Sequence, residues 1–124
     1  MIAYIALGGI LGTLARYFLQ GWVQQRSGLA QFPVGTLAIN LIGSFVVGLV
    51  IRVATGSTLI SPDLRAALTI GFCGAFTTMS TFSYESMKLL ADGEYWYAGL
   101  YMGGTVIGCL AAVMVGTQLA AKLL

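Results

Sequence analysis

The sequence has no histidine, only two cysteines and four carboxylates, and just 8% charged residues. A soluble domain carries about 25% charged residues, so this composition does not fit a soluble protein. Without histidine there is no imidazole base and no Cys/His zinc site, and two cysteines build no disulfide framework. A net charge of +2 scattered along the chain gives no clustered basic face for a nucleic acid. We therefore expect neither an enzyme nor a nucleic-acid-binding protein.

Apolar tracts take up the remaining sequence: 58% of the 124 residues are hydrophobic, and the mean hydropathy is +0.90. A membrane-spanning helix needs about 20 apolar residues, and the tracts predict four such helices. The predicted spans are Met1 to Trp22, Val34 to Arg52, Pro62 to Leu90 and residues 95–121. The sequence thus predicts one all-α integral membrane domain over residues 1–124, surrounded by lipid.

Turn-forming residues separate these spans. Polar residues 24–28 predict the first connection. Pro33 is placed to open the second helix, and Ser61 with Pro62 gives an N-cap and a first helical residue for the third. Residues 92–94, Asp-Gly-Glu, predict a tight third connection. Connections this short favour a small bundle of four helices.

Small residues recur at four-residue spacing in the first and fourth helices, and glycine accounts for 17 residues overall. This spacing lets transmembrane backbones approach closely, so we interpret it as helix packing. The two cysteines are interpreted in the same way, as small apolar fillers. The residues concerned are Gly8, Gly12, Gly104, Gly108, Ala112, Gly116, Cys73 and Cys109.

The basic residues do not favour one orientation of the chain. Four spans place three on each side, namely Arg52, Arg65 and Lys122 against Arg16, Arg26 and Lys88. Membrane topology follows an excess of Lys and Arg on the cytoplasmic side, so an even division predicts insertion in both directions. Interfacial aromatics at 17–22 and 95–97 lie on one side, and two antiparallel copies would supply them on both. The alternative is an orientation fixed by a partner or by a few other residues.

A polar stripe runs along the predicted second helix. Thr36, Asn40, Ser44 and Gly48 recur every four residues, and Asn40 is the only asparagine. An amide in lipid must find hydrogen-bond partners. Hydrogen bonding between helices, worth about 1 kcal/mol here, would explain any one of these residues. The third span makes a functional interpretation more attractive.

Five hydroxyl residues lie within seven positions of the third span, from Thr77 to Ser83, shortly after Gly74. Serine and threonine can return hydrogen bonds to their own helix. This density instead favours a helix that is broken near its middle and faces a cavity, as in transporters that bind ions at the midplane. Carbonyls at such a break suit Na⁺, whereas hydroxyl donors suit an anion. The residues alone leave both open.

Two ionisable residues, Arg16 and Glu85, lie within the first and third spans. Ionisable groups in a membrane are functional candidates. Both also lie close enough to a boundary to be snorkelling side chains. A water-filled vestibule and simple anchoring are equally compatible with Arg16.

Three stretches together resemble the Fluc (CrcB) family of fluoride channels. They are GTLARY at 12–17, PVGTLAIN at 33–40 and GFCGAFTTMSTFSYE at 71–85. The resemblance covers essentially the whole chain in order, length and motif. It implies a dual-topology homodimer of antiparallel four-helix subunits, in the inner (plasma) membrane, that passes F⁻ passively through two pores.

The resemblance also implies roles for individual residues. A central Na⁺ is held on the dimer axis by backbone carbonyls at the positions of Gly74 and Thr77. Asn40 matches the pore asparagine, and Met79 and Phe82 match a pore-lining phenylalanine pair, from which Met79 departs. Two hydroxyl positions of the fourth helix fall on Cys109 and Val113, a second departure. The complete predicted ion pathway is Asn40, Phe82, Met79, Thr36, Ser80, Thr81, Ser83, Arg16 and Glu85.

The alternative is a small multidrug-resistance-type exporter coupled to protons, which is also an antiparallel dimer of four short helices. Such exporters resemble one another in carrying a membrane-embedded carboxylate in the first helix. The first helix here has none, and Glu85 is the only candidate. A purely structural membrane subunit would not need the hydroxyl-rich break. The sequence therefore favours the channel.

Overall fold

The computed structural model describes residues 1–124, and every regular element in it is helical. This confirms the all-α prediction. Three long helices are α1 (Ile2–Ser27), α2 (Val34–Gly56) and α6 (Tyr95–Leu123), each long and apolar enough to cross a membrane. Between α2 and α6 lie α3 (Pro62–Ala66), a π-helical segment (Ala67–Cys73), α4 (Gly74–Phe76) and α5 (Met79–Ala91).

The first helix extends further than predicted. Residues 24–27, predicted as part of a connection, are helical, and α1 ends at Ser27, directly before Gly28, whose φ is +67°. A left-handed residue after the last turn is a common helix end, and glycine adopts it without strain. The Gln24 side chain accepts from the Gly35 N–H and donates to the Phe32 carbonyl, at 2.9 and 3.0 Å. It thereby pins the connection to the start of α2.

The predicted helix starts are confirmed. α2 begins at Val34, directly after Pro33, although it continues past Arg52 to Gly56. The Ser61 hydroxyl accepts from the Leu64 N–H at 3.2 Å, and Pro62 is the first helical residue of α3.

Residues 62–76 form one continuous helical run, which we call the N-terminal half-helix. It ends at Phe76, because Thr77 and Thr78 are extended, with ψ of 155° and 112°. The Thr78 hydroxyl then accepts from the Thr81 N–H at 3.2 Å and caps α5. Two residues therefore separate the half-helix from α5.

Glycines allow two close helix contacts. A Cβ atom on Gly8 or Gly12 of α1 would strike the backbone of the half-helix at Ala67 or Phe72. On the other side of the bundle, a Cβ on Gly48 or Gly116 would strike the backbone across the contact of α2 with α6. The packing interpretation holds for Gly8, Gly12 and Gly116, whereas a Cβ on Gly104 would meet nothing within 4 Å.

Candidate functional site

A groove of about 370 Å³ lies where α2, the helix break and α6 meet. Four residues of the predicted sites line it: Asn40, Thr77, Met79 and Phe82. The remaining lining residues are Ser44, Val47, Thr78, Thr105, Val106, Cys109 and Val113. The groove contains no charged side chain, so its polarity comes from one amide, several hydroxyls and a thiol.

Asn40 joins α2 to the helix break. Its Oδ1 accepts from the Thr78 N–H at 2.9 Å, and its Nδ2 lies 3.5 Å from the Thr78 carbonyl. Since Thr78 is extended, its N–H has no helical acceptor, and Asn40 replaces that acceptor. The bond to Oδ1 also fixes the amide orientation, so that the NH₂ group is the donor side of this 7% exposed residue.

The hydroxyl groups near the break have two kinds of hydrogen-bond partner: carbonyls of the preceding helical turn and other hydroxyls. Thr77 and Ser83 donate to the carbonyls four residues earlier, at 2.8 and 2.9 Å. The Thr78 hydroxyl donates to that of Thr81 at 2.9 Å and lies 3.4 Å from that of Ser80. Ser80, Thr81 and Ser83 lie on α5 outside the groove lining, so the structure does not bring them together with Asn40.

The two members of the predicted ring pair differ sharply in exposure. Phe82 is 8% exposed and packs on Tyr101, with ring centroids 5.2 Å apart. Met79 is 72% exposed at the edge of the groove. The Phe82 ring is therefore held by its packing, whereas the Met79 side chain is free to move.

Thr105 was not predicted as a site residue. It is 7% exposed and lines the groove, and its hydroxyl is the only buried side-chain polar atom without a hydrogen-bond partner. It lies four residues before Cys109 and eight before Val113, so all three share one face of α6. A single threonine in a glycine-rich helix does not by itself indicate a site. The only sequence feature that associates Thr105 with the site is its four-residue spacing from Cys109.

The carbonyls of Gly74 and Thr77 lose their helical donors at the break. In a continuous helix the Thr78 and Thr81 N–H groups would bond to them. Instead these two donors bond to Asn40 Oδ1 and to the Thr78 hydroxyl. Gly74 is also exposed. Two backbone oxygens are thus left for another ligand, and the donor set suits a hard cation such as Na⁺.

Arg16 and Glu85 share a second, polar cavity of about 630 Å³. The Arg16 Nε donates to the Ala75 carbonyl at 3.1 Å, and the fully buried Tyr101 donates to Glu85 Oε1 at 2.9 Å. Thr36 is buried nearby, and its hydroxyl accepts from Gln20, another lining residue, at 2.9 Å. Neither ionisable residue is a free surface anchor.

A groove of weak donors, a helix interrupted beside it and three long apolar helices define an all-helical multi-pass membrane protein. The chain belongs to the CrcB family: the family model described as "CrcB-like protein, Camphor Resistance (CrcB)" matches residues 3–117. This confirms the resemblance found in the sequence.

Curated relatives support the same assignment. A "Fluoride-specific ion channel FluC" of Geotalea uraniireducens is 47% identical over 122 residues, covering 98% of both chains. The protein of that name in Geobacter sulfurreducens is 49% identical with the same coverage. The one in Chlorobium chlorochromatii is 44% identical over 93% of this chain and 88% of its own. Neither these names nor the family match supports the exporter alternative.

Proposed function

We propose that this chain forms a passive fluoride-selective channel that lets F⁻ leave the cytoplasm across the plasma membrane. The observation that carries the proposal is the groove, which is lined by the Asn40 amide, the Thr105 hydroxyl and the Phe82 ring. The names of the relatives identify the ion. The role is to drain fluoride that enters as HF and ionises inside the cell. Fluoride efflux from liposomes containing the purified protein tests it.

The chemistry of the groove suits a small, strongly hydrated anion. A pore must replace the water around the ion without holding it, because conduction requires both binding and release. The Asn40 NH₂, the free Thr105 hydroxyl and the positive rim of the Phe82 ring are weak, separate donors. A lysine would bind the anion too tightly, and the groove has none.

The proposal includes four membrane crossings, the third made of two pieces. The N-terminal half-helix and α5 each extend about 20 Å at 1.5 Å per residue, so together they exceed the roughly 30 Å of hydrocarbon. The break at Thr77 and Thr78 then lies within the membrane, where irregular backbone must face a cavity or be bonded. Asn40 and the groove meet this condition. The domain is one unit over residues 1–124.

A second copy in antiparallel orientation completes the proposed channel. The groove is open on one side, and Met79, Tyr84 and Met87 of α5 are more than half exposed. The even division of Lys and Arg allows both orientations in one membrane. The two copies would then enclose the grooves, giving two pores in a homodimer surrounded by lipid.

Dual topology predicts that orientation can be fixed by added charge. Two or three lysines added at the C-terminus of one copy, and in the first connection of another, should fix the two in opposite orientations. We expect each to be inactive alone and fluoride flux to return on co-expression. Full flux from either one expressed alone, in a single orientation, would contradict the antiparallel arrangement.

A sodium ion is part of the proposed assembly. The freed carbonyls of Gly74 and Thr77 would hold it, in line with the use of half-helix ends for cations. When bound, Na⁺ supplies a fixed positive charge and a link between the two copies. Its proposed role is structural, because both of its ligands are main-chain oxygens at the helix break and neither is a donor proposed for fluoride.

The pathway as a whole would combine the groove with the polar cavity. Arg16 and Glu85 line that cavity, Thr36 lies beside it, and Ser80, Thr81 and Ser83 extend along α5. Arg16 and the hydroxyls of α5 would receive the ion from water, and the groove would strip its remaining hydration. Glu85 and the buried Thr36 would hold the cavity wall through their bonds to Tyr101 and Gln20.

Cys109 provides a direct test of the groove as the pathway. Methylmercury replaces the thiol proton with an S–Hg bond, and the added group should obstruct a groove of about 370 Å³. We expect fluoride flux to fall to that of protein-free liposomes.

Two variants serve as controls. Cys109→Ser should be unaffected by the reagent, relative to its own untreated rate. Cys73→Ala should be blocked like the wild type, because Cys73 is 2% exposed and lies outside the groove. Block that persists in Cys109→Ser would place the pathway elsewhere.

A further inference from the structure

Arg16 continues a line of backbone contacts along α1. Gly8, Gly12 and Arg16 recur every four residues and therefore share one face of the helix. The two glycines abut the half-helix at Ala67 and Phe72. One turn later, the Arg16 Nε reaches the Ala75 carbonyl at 3.1 Å. The face thus follows the half-helix as far as its last turn.

The Ala75 carbonyl is one of those that the helix break leaves without a helical donor. It lies in the chain between the two carbonyls proposed to hold Na⁺, those of Gly74 and Thr77. The Arg16 Nε bonds the Ala75 carbonyl. The Thr78 and Thr81 N–H groups, which would bond the Gly74 and Thr77 carbonyls in a continuous helix, bond elsewhere. The glycine contacts fix α1 against the half-helix, so the Arg16 backbone is held at a constant distance from the Ala75 carbonyl.

The geometry points to Arg16 as a positioning residue for the sodium site. Its Nε–H holds the Ala75 carbonyl, which sets the direction of the adjacent Gly74 carbonyl and, through Phe76, of the Thr77 carbonyl. This inference rests on the proposed function. It differs from a role in attracting anions to the polar cavity, because that role depends on the charge of the guanidinium and this one depends on a single hydrogen bond.

Two substitutions separate the hydrogen bond from the charge. In Arg16→Gln, Nε2 lies the same number of bonds from Cα as the arginine Nε, so the bond to Ala75 can be kept while the charge is removed. In Arg16→Lys the charge is kept, but the donor moves one bond further out. A positioning role predicts that glutamine is the better replacement, and a charge role predicts lysine.

The readout is sodium-dependent stability rather than transport. A ligand that binds only the folded state raises the unfolding temperature with its concentration. The Tm of the purified dimer is measured while Na⁺ replaces N-methyl-D-glucamine at constant chloride, and the half-saturating Na⁺ concentration is compared. We expect Arg16→Gln to match the wild type within about twofold. Loss of one hydrogen bond should raise the Arg16→Lys value about five- to tenfold.

Several results would overturn this inference. Wild-type sodium response in Arg16→Lys together with a weakened response in Arg16→Gln would show that charge matters and the bond does not. Equal responses in all three proteins would show that Arg16 does not act on the site. If the lysine variant does not elute as a dimer, Arg16→Met, which lacks a donor, takes its place with the same expected rise. A wild type without any sodium response would remove both this inference and the proposed Na⁺, while fluoride efflux would still test the channel.

Discussion

Asn40→Asp is expected to abolish fluoride flux while leaving the protein folded. The aspartate keeps an oxygen that accepts from the Thr78 N–H, so the helix break retains its bond to α2. The NH₂ donor, however, is replaced by a carboxylate oxygen facing an anion. Two unit charges about 4 Å apart interact by about 4 kcal/mol at an effective dielectric constant of 20. We therefore expect flux to fall by at least about a hundredfold.

The flux is measured in liposomes, after each protein has been shown to elute as the wild type does. Thr58→Asp is the matched control, because it adds the same carboxylate to an exposed residue of the second connection. It should conduct like the wild type. Flux in Asn40→Asp within a few-fold of the wild type would remove Asn40 from the pathway.

Phe82→Ile is expected to bring fluoride flux close to background, whereas Met79→Phe should remain within about threefold of the wild type. The Phe82 ring is held against Tyr101 and offers a fixed positive rim, which isoleucine lacks. The exposed Met79 offers a flexible thioether without a comparable donor. A phenylalanine there restores the residue that the family resemblance implies.

Loss of packing has to be separated from loss of the ring. Phe82 belongs to a buried cluster with Leu89, Ala98 and Tyr101, so its replacement also costs stability. Leu89→Val removes one methylene from the same cluster, at a cost of about 1 kcal/mol, and keeps the ring. It should retain flux. Equal losses in Leu89→Val and Phe82→Ile would show that packing, and not the ring edge, explains the effect.

The helices were predictable because their signals are local. Long apolar tracts identify α1, α2 and α6, and Pro33, Ser61 and Pro62 mark helix starts by the dihedral angle and hydrogen bond that each provides. The polar residues 24–28 predict a connection, whereas α1 continues to Ser27 in the structure. Glutamine and arginine are good helix formers, and the helix continues to Ser27, directly before Gly28, the first residue with a positive φ.

The site was predictable only in part, because it depends on which partner each polar side chain bonds in the folded protein. Asn40 stood out as a lone amide in an apolar tract, but its partner, the Thr78 N–H, exists only because the helix breaks. The hydroxyls between Thr77 and Ser83 look alike in the sequence, yet two of them bond their own helix. Thr105 is recognised as a site residue only in the structure, because its buried hydroxyl has no hydrogen-bond partner.

The most direct measurement is anion efflux from liposomes that contain the wild-type protein, with a potassium ionophore present to balance charge. A passive fluoride channel predicts that fluoride leaves at once, that a proton ionophore does not change the rate, and that chloride stays inside. Fluoride efflux that requires a proton gradient, an equal rate for chloride, or no efflux from a folded protein would contradict the account.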